Sequence, residues 1–256
     1  MQAKHLITSR RTFIAGLASA GGLVMAGCSE TLPPTYGNVL RMGDDLTYGA
    51  QRLLLPAGSL AKEYARSEIS SILAIGTTDP ADSRQPAYNA SAGESYDRLR
   101  GTGFSDWRLS IEGHVARPRS YSLADLKRFP ARTQITKHTC EEGWSAIAEW
   151  TGVPLRRVLE AAGILPTARF VNFFPYDNYA DGIDMFDALH PQTILAYGMN
   201  GRDLPVAHGA PLRLRVERQL GYKSVKFIQR IVVTDKFDDL GKVGDIQNGW
   251  SWYAGI

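Results

Sequence analysis

The strongest constraint on the fold is a succession of short strand-like segments interrupted by helices of only a few turns. Trp107, Leu109, Ile111 and Val115 alternate with Arg108, Ser110 and Glu112, the two-residue period of a half-buried strand. Further strands are expected over 169–174, 193–197, 212–217 and 227–233. Ser122 caps a short helix, with Asp125 at the capping-box position and Pro130 beyond its end. Pro154 opens a second helix, whose stripe Leu155, Val158, Leu159 and Ala162 stops at Gly163. Short helices among scattered strands, without strict βαβ alternation, predict a mixed α+β domain. With 256 residues, 44% of them hydrophobic, the chain can bury a real core.

The first 28 residues read as an export signal. Arg10-Arg11 precedes an uncharged run, Thr12–Gly27, that is too short and too rich in glycine to span a bilayer. The paired arginines point to the twin-arginine route and a periplasmic or otherwise exported location. Val24-Met25-Ala26-Gly27-Cys28 resembles a lipoprotein cleavage site, in which Cys28 becomes the lipidated first residue. The other reading is an incidental cysteine in a discarded peptide. This segment carries Lys4, Arg10 and Arg11 and no acid. Removing those three from the 29 basic residues leaves 26 against 26 acids. A neutral body lacks the basic surplus of a nucleic-acid binder.

Residues 29–66 read as a tether and lead-in, because prolines and glycines interrupt any long periodicity. Within them, Leu53-Leu54-Leu55 is expected to dock on the body, with a membrane surface as the alternative. Residues 76–103 are also turn-rich. The main domain is assigned to 67–256.

Cys140 is the most informative single residue. It stands in a polar, turn-like setting, His138-Thr139-Cys140-Glu141-Glu142-Gly143-Trp144-Ser145. A lone cysteine in an exported chain is a reactive thiol, a metal ligand or a passive small side chain. His138, Cys140 and His208 could form a zinc site, and a Cys–His nucleophile is a further option. Neither has a supporting local motif.

Three stretches then resemble one family: CEEGWSAIAEWTGVPL (140–155), HPQTILAYGMNGRDLPVAHGAPLRLRVERQLGYKSVKFIQRI (190–231) and the closing WYAGI. Together they are similar to sulfite-oxidase-like molybdopterin oxidoreductases, especially exported bacterial members of the methionine-sulfoxide reductase type. The resemblance covers roughly residues 66–256. It implies a sulfite-oxidase-type fold and a molybdopterin cofactor, one molybdenum per chain, with Cys140 as the metal's thiolate ligand and catalytic centre. It further implies that His208 and Arg213 contact the pterin and its phosphate, and that Ser224, Val225 and Lys226 hold the pterin. An anionic phosphate does require cationic donors and backbone amides. Leu212, Leu214 and Val216 alternate with Arg213, Arg215 and Glu217, so one strand face packs the core while the other reaches a ligand or solvent.

Departures from the family bear on the substrate. Residues 72–75 are apolar where relatives place polar anchors, and Glu141-Glu142 set negative charge beside Cys140. Both disfavour an anion such as sulfite. The resulting expectation is oxygen-atom transfer from a small or protein-bound sulfoxide or N-oxide. Electrons would come from another protein, since the chain has no C-x-x-C-H haem motif, and the resemblance implies a membrane haem or quinone-linked carrier. The alternatives are a sulfite or small-oxyanion oxidase, with Arg202 or Arg215 as anion clamp, and a non-catalytic exported binding lipoprotein. Tyr176, Asp177, Tyr179 and Asp181 are either a site entrance or a solvated loop.

Overall fold

Alternation along the strands becomes two five-stranded sheets in the computed structural model, which describes residues 36–71, 77–85, 88–236 and 251–256. The export signal, Cys28 and the apolar stretch 72–75 lie outside the described residues. The strands are β1 (Leu109–Gly113), β2 (Arg119–Tyr121), β3 (Arg132–Thr139), β4 (Ser145–Pro154), β5 (Phe170–Pro175), β6 (Asp181–Asp184), β7 (Ile194–Met199), β8 (Arg202–Asp203), β9 (Arg213–Arg215) and β10 (Ile228–Thr234). One sheet has the order β2-β1-β10-β5-β6, with only β1 and β10 parallel. The other has the order β3-β4-β7-β8, with β9 added to β7, all antiparallel.

The helices are α1 (Tyr36–Leu54), α2 (Ala90–Gly101), α3 (Leu123–Lys127), α4 (Leu155–Ala162) and α5 (Met185–Ala188). Ser122 accepts from the Asp125 amide while Asp125 accepts from that of Ser122, the expected capping box. Leu155, Val158, Leu159 and Ala162 of α4 are fully buried, in one core with Leu109, Ile111, Phe173, Leu195, Leu214 and Ile231 from both sheets. A second cluster, around Trp150, Ile194 and Ala196, forms on the opposite face of the β4–β7 sheet. This is the expected mixed α+β architecture.

Two stretches read as irregular are helical instead. The chain divides into units 1–40 and 41–256; of the first, only 36–40 are described, as the opening of α1. From Arg41 onward the supposed tether belongs to the body. Its glycines each cost about 1 kcal/mol of helix propensity, but packing overrides them. Tyr48 donates to Asp184 at 2.8 Å, and Arg52 bridges Asp184 and Asp187 at 3.0 and 2.9 Å. The closing segment clasps the same helix: Ser251 donates to Asp44, and Tyr253 to Gln51, each at 2.7 Å. Helix α2 forms in the turn-rich stretch because Asn89 caps it and Tyr96 is buried, its hydroxyl donating to the Ala210 carbonyl at 2.7 Å. The expected docking of Leu53-Leu54-Leu55 does not occur, since all three are exposed. Leu53 and Leu54 stand on α1 away from the residues that bind the body, and Leu55 follows the end of the helix.

Candidate functional site

Strands β3 and β4 meet in a tight turn with Cys140 at its start. The Cys140 amide donates to the Trp144 carbonyl at 2.9 Å, and Gly143 donates back to the Cys140 carbonyl at 3.1 Å. The thiol is therefore carried on a hairpin tip rather than sunk in apolar surroundings. Its Sγ donates to Glu141 at 3.3 Å and lies 3.8 Å from Glu142, which also accepts from the Trp144 indole at 2.7 Å. Burial, and then the two carboxylates, push the thiol up to about 11, partly offset by a Glu142 main-chain hydrogen bond.

The thiol opens into a cavity of about 430 Å³. Arg213, Ser224, Val225 and Lys226 line the same cavity, together with His138, Asp177 and Tyr222. Five of the six expected site residues, split between 140 and 213–226, thus converge. His208 does not line the cavity; its carbonyl accepts from Arg213 Nη1 at 2.9 Å and so helps to aim that guanidinium. Of the four residues proposed for an entrance, Asp177 and Tyr179 line the cavity, Tyr176 packs in the core, and Asp181 pairs with buried Lys223 at 2.5 Å.

Neighbouring arginines of β9 have different surroundings. Both are buried, at 3% exposure for Arg213 and 1% for Arg215, so the solvated face allowed by the alternation is excluded. Arg215 pairs with Glu217 at 2.7 Å, and Gln134 supports that carboxylate at 3.0 Å. Its charge is answered within the fold, which removes it as an anion clamp; Arg202 is exposed on β8, away from the cavity. Arg213 instead donates to the His208 and Ser224 carbonyls and lies over the Trp150 ring, 4.9 Å from its centroid. Burial, and then Arg215, lower it to about 9. Lys226, which donates to Thr78 at 3.0 Å, is lowered to about 7, mainly by burial and then by Arg213. This cationic surface, beside a thiol, matches the chemistry of an anionic phosphate and a soft metal.

In the sequence His138 stands as a zinc candidate, with a Cys–His nucleophile as the further option. Its Nδ1 faces Arg215 Nη1 at 2.5 Å. Because arginine only donates, Nδ1 accepts, and the neutral ring carries its proton on Nε2. Burial, then Arg215, Arg213 and Lys226, push the imidazole far below its ordinary range. It is thus neither a general base for Cys140 nor free to ligate through Nδ1. Among the described residues, no group of three or more His, Cys, Asp or Glu is arranged to hold a metal ion, which removes support for the zinc reading.

Two glycines make the convergence possible. A Cβ on Gly221 would lie 2.4 Å from His138 Nε2. A Cβ on Gly209, whose φ is +109°, would lie 2.9 Å from Lys226 Cβ and 3.1 Å from Arg213 Cβ. The glycines of H-G-A-P-L-R and G-Y-K-S-V-K therefore let the cationic side chains and the histidine approach closely.

Comparison with known proteins bears on the same segments. Residues 99–240 match the family model described as "Oxidoreductase molybdopterin binding domain". YedZ1 of Azospira oryzae is 33% identical over 250 residues, covering 97% of this chain and 88% of that protein. The protein-methionine-sulfoxide reductase catalytic subunit MsrP of Campylobacter jejuni is 35% identical over 146 residues, 50% of this chain and 49% of that protein. The match thus spans about half the length of that catalytic subunit. Among solved structures, the sulfane dehydrogenase SoxCD of Paracoccus pantotrophus superposes with a TM-score of 0.50 at 28% identity. That match covers 53% of this chain and 40% of the SoxCD chain.

Proposed function

The chain belongs to the oxidoreductase molybdopterin binding domain family, and on that premise we propose that it is an exported enzyme that reduces neutral S-oxides, methionine sulfoxide first among them. The observation that carries this reading is the charge pattern of the cavity. Its cations, buried Arg213 and half-buried Lys226, line one cavity, while Glu141 and Glu142 flank the thiol. Arg213 and Lys226 hold the anionic phosphate of one molybdopterin per chain, and Ser224 and Val225 complete the cradle. Cys140 ligates the molybdenum and is the catalytic residue; His208 fixes Arg213 through its carbonyl. When bound, the cofactor supplies two-electron oxygen-atom-transfer chemistry.

The protein's own contribution is orientation and charge. The Glu141–Glu142 flank repels an anion such as sulfite, whereas a neutral sulfoxide meets no such repulsion and loses less solvation on entry. A thiol held as high as Cys140 is a poor free nucleophile. Electrons enter from a separate carrier, a membrane haem or quinone-linked protein, a reading supported by the likeness to methionine-sulfoxide reductase subunits. Export uses the Arg10-Arg11 signal to reach the periplasm, and Cys28 is the lipidated first residue of the mature chain.

The test is a parallel assay of molybdenum-loaded protein. One arm uses methionine sulfoxide with a reduced dye, the other sulfite with an electron acceptor. Sulfoxide reduction with little sulfite turnover is expected. Robust sulfite oxidation without sulfoxide reduction overturns the reading, and loaded protein inactive in both arms favours a binding lipoprotein.

A further inference from the structure

Helix α1 is amphipathic in the wrong sense for a helix facing water. Its body-facing residues are polar: Asp44, Tyr48, Gln51 and Arg52 all hydrogen-bond to residues 184–187 or 251–253. Its outer face carries Leu46, Ala50, Leu53 and Leu54, at the i, i+4, i+7, i+8 spacing of a single stripe. Leu53 is 85% exposed, Leu54 75% and Leu46 53%; Leu55 and Leu60, beyond the helix, are exposed as well. The one charged residue among the exposed positions from Gly43 to Leu54 is Asp45, and it accepts from the Trp252 indole at 3.3 Å. An isolated surface leucine needs no explanation, but a contiguous stripe of this kind marks a contact surface.

Chain length selects the occupant. Cys28 precedes Tyr36 by only seven intervening residues, which span roughly 30 Å at most. With an acyl anchor on Cys28, α1 is the first described element to come within reach of the bilayer. No helix among the described residues is long and apolar enough to cross a membrane, so contact means lying on the surface. Acyl anchoring by one chain is marginal and reversible, and gains firmness from a second signal.

We propose that the Leu46–Leu53–Leu54 stripe of α1 is a membrane-surface contact that seats the enzyme on the lipid interface. The proposal uses the lipidated Cys28 of the proposed function to place α1. The contact itself is tested apart from that anchor.

The mature chain is produced behind an ordinary cleavable leader, without the lipid. It keeps the whole unit Arg41–Ile256 and is floated with phosphatidylethanolamine–phosphatidylglycerol vesicles. Binding that survives high salt is expected, and it should weaken about tenfold for each of Leu53→Ser and Leu54→Ser. Both positions are exposed, so the variants should keep the parent's unfolding temperature and molybdenum content. Equal vesicle binding by parent and variants, or no binding by either, overturns the proposal. So does a leucine-dependent dimer in light scattering without vesicle binding, which would assign the stripe to a second copy. Mass spectrometry of the native mature N-terminus tests the anchor separately. An unmodified start there, with leucine-dependent vesicle binding retained, removes the lipidation reading and leaves the surface contact standing.

Discussion

Two regions of this protein draw arginine away from solvent, Arg52 half-buried and Arg213 buried, and they do so in opposite ways. At the clamp beneath α1, Arg52 meets the carboxylates of Asp184 and Asp187 and lies over the Phe186 ring, 3.8 Å from its centroid. Those carboxylates outweigh burial, and its pKa is raised. In the cavity, Arg213 meets main-chain carbonyls and an indole face, and its pKa is lowered. A buried cation answered by carboxylates holds the fold together. One answered only by carbonyls leaves positive potential for an anionic ligand to use. The two β9 arginines repeat the contrast two residues apart, with Arg215 closed by Glu217 and Arg213 left open.

The sharpest test of the open region is Cys140→Ser. Turnover should fall at least about 1,000-fold, on the order of 4 kcal/mol of transition-state stabilisation. The pterin, held by other residues, should still co-purify, as fluorescence of the extracted cofactor will show. Loss of pterin and activity together would mean that the thiol anchors the whole cofactor.

Breaking the closed region should act on stability instead. Arg52→Met strands two buried carboxylates and should cost about 3–5 kcal/mol in denaturant unfolding. Molybdenum per folded chain should be unchanged. A drop in cofactor content at full stability would erase the distinction between the regions.

Arg213→Met reverses the pattern. Cofactor retention should weaken by about 1.5–3 kcal/mol, the scale of a charge-assisted hydrogen bond, while the cofactor-free protein should become no less stable. Competition dialysis and urea unfolding measure the two halves. Gly221→Ala should lower cofactor content by displacing His138, with a stability cost of about 1–3 kcal/mol from overpacking.

The smallest effect is a pH dependence. Lys226 has a folded pKa near 7, below its unfolded value of 10.5. The unfolded chain therefore binds more protons between those values, and stability from this group rises with pH there. It is lost as pH falls through 7. Cofactor-free protein should gain about 1 kcal/mol per pH unit between pH 7 and 9 relative to Lys226→Met. A flat difference would mean that Lys226 is neutralised inside the fold, as Arg215 is.

Much of this was legible in the chain because it depends on local period and chemistry. The β1 alternation, the Ser122–Asp125 box and the α4 stripe each formed where their spacing placed them. The grouping of Cys140, Arg213, Ser224, Val225 and Lys226 came instead from the resemblance to a family, and no local period carried it; the five residues line one cavity. Helix α1 was not legible. Gly37, Gly43 and Gly49 argue against a helix, and the residues that stabilise it, Asp184, Asp187 and Tyr253, lie more than a hundred positions away. His138 as a partner of Arg215, and Gly221 as the space it needs, had no local signal either.

The sequence by itself determined which chemical groups are present and on which strand face each stands, because side-chain alternation is a property of the backbone alone. Only the tertiary structure decided which of them are neutralised. Arg213 and Arg215 have the same side chain on the same face of β9. Glu217, itself held by Gln134, closes one, while the His208 and Ser224 carbonyls leave the other open. The charge available to a ligand depends on partners and burial that packing brings together across the chain, and local periodicity carries no record of them.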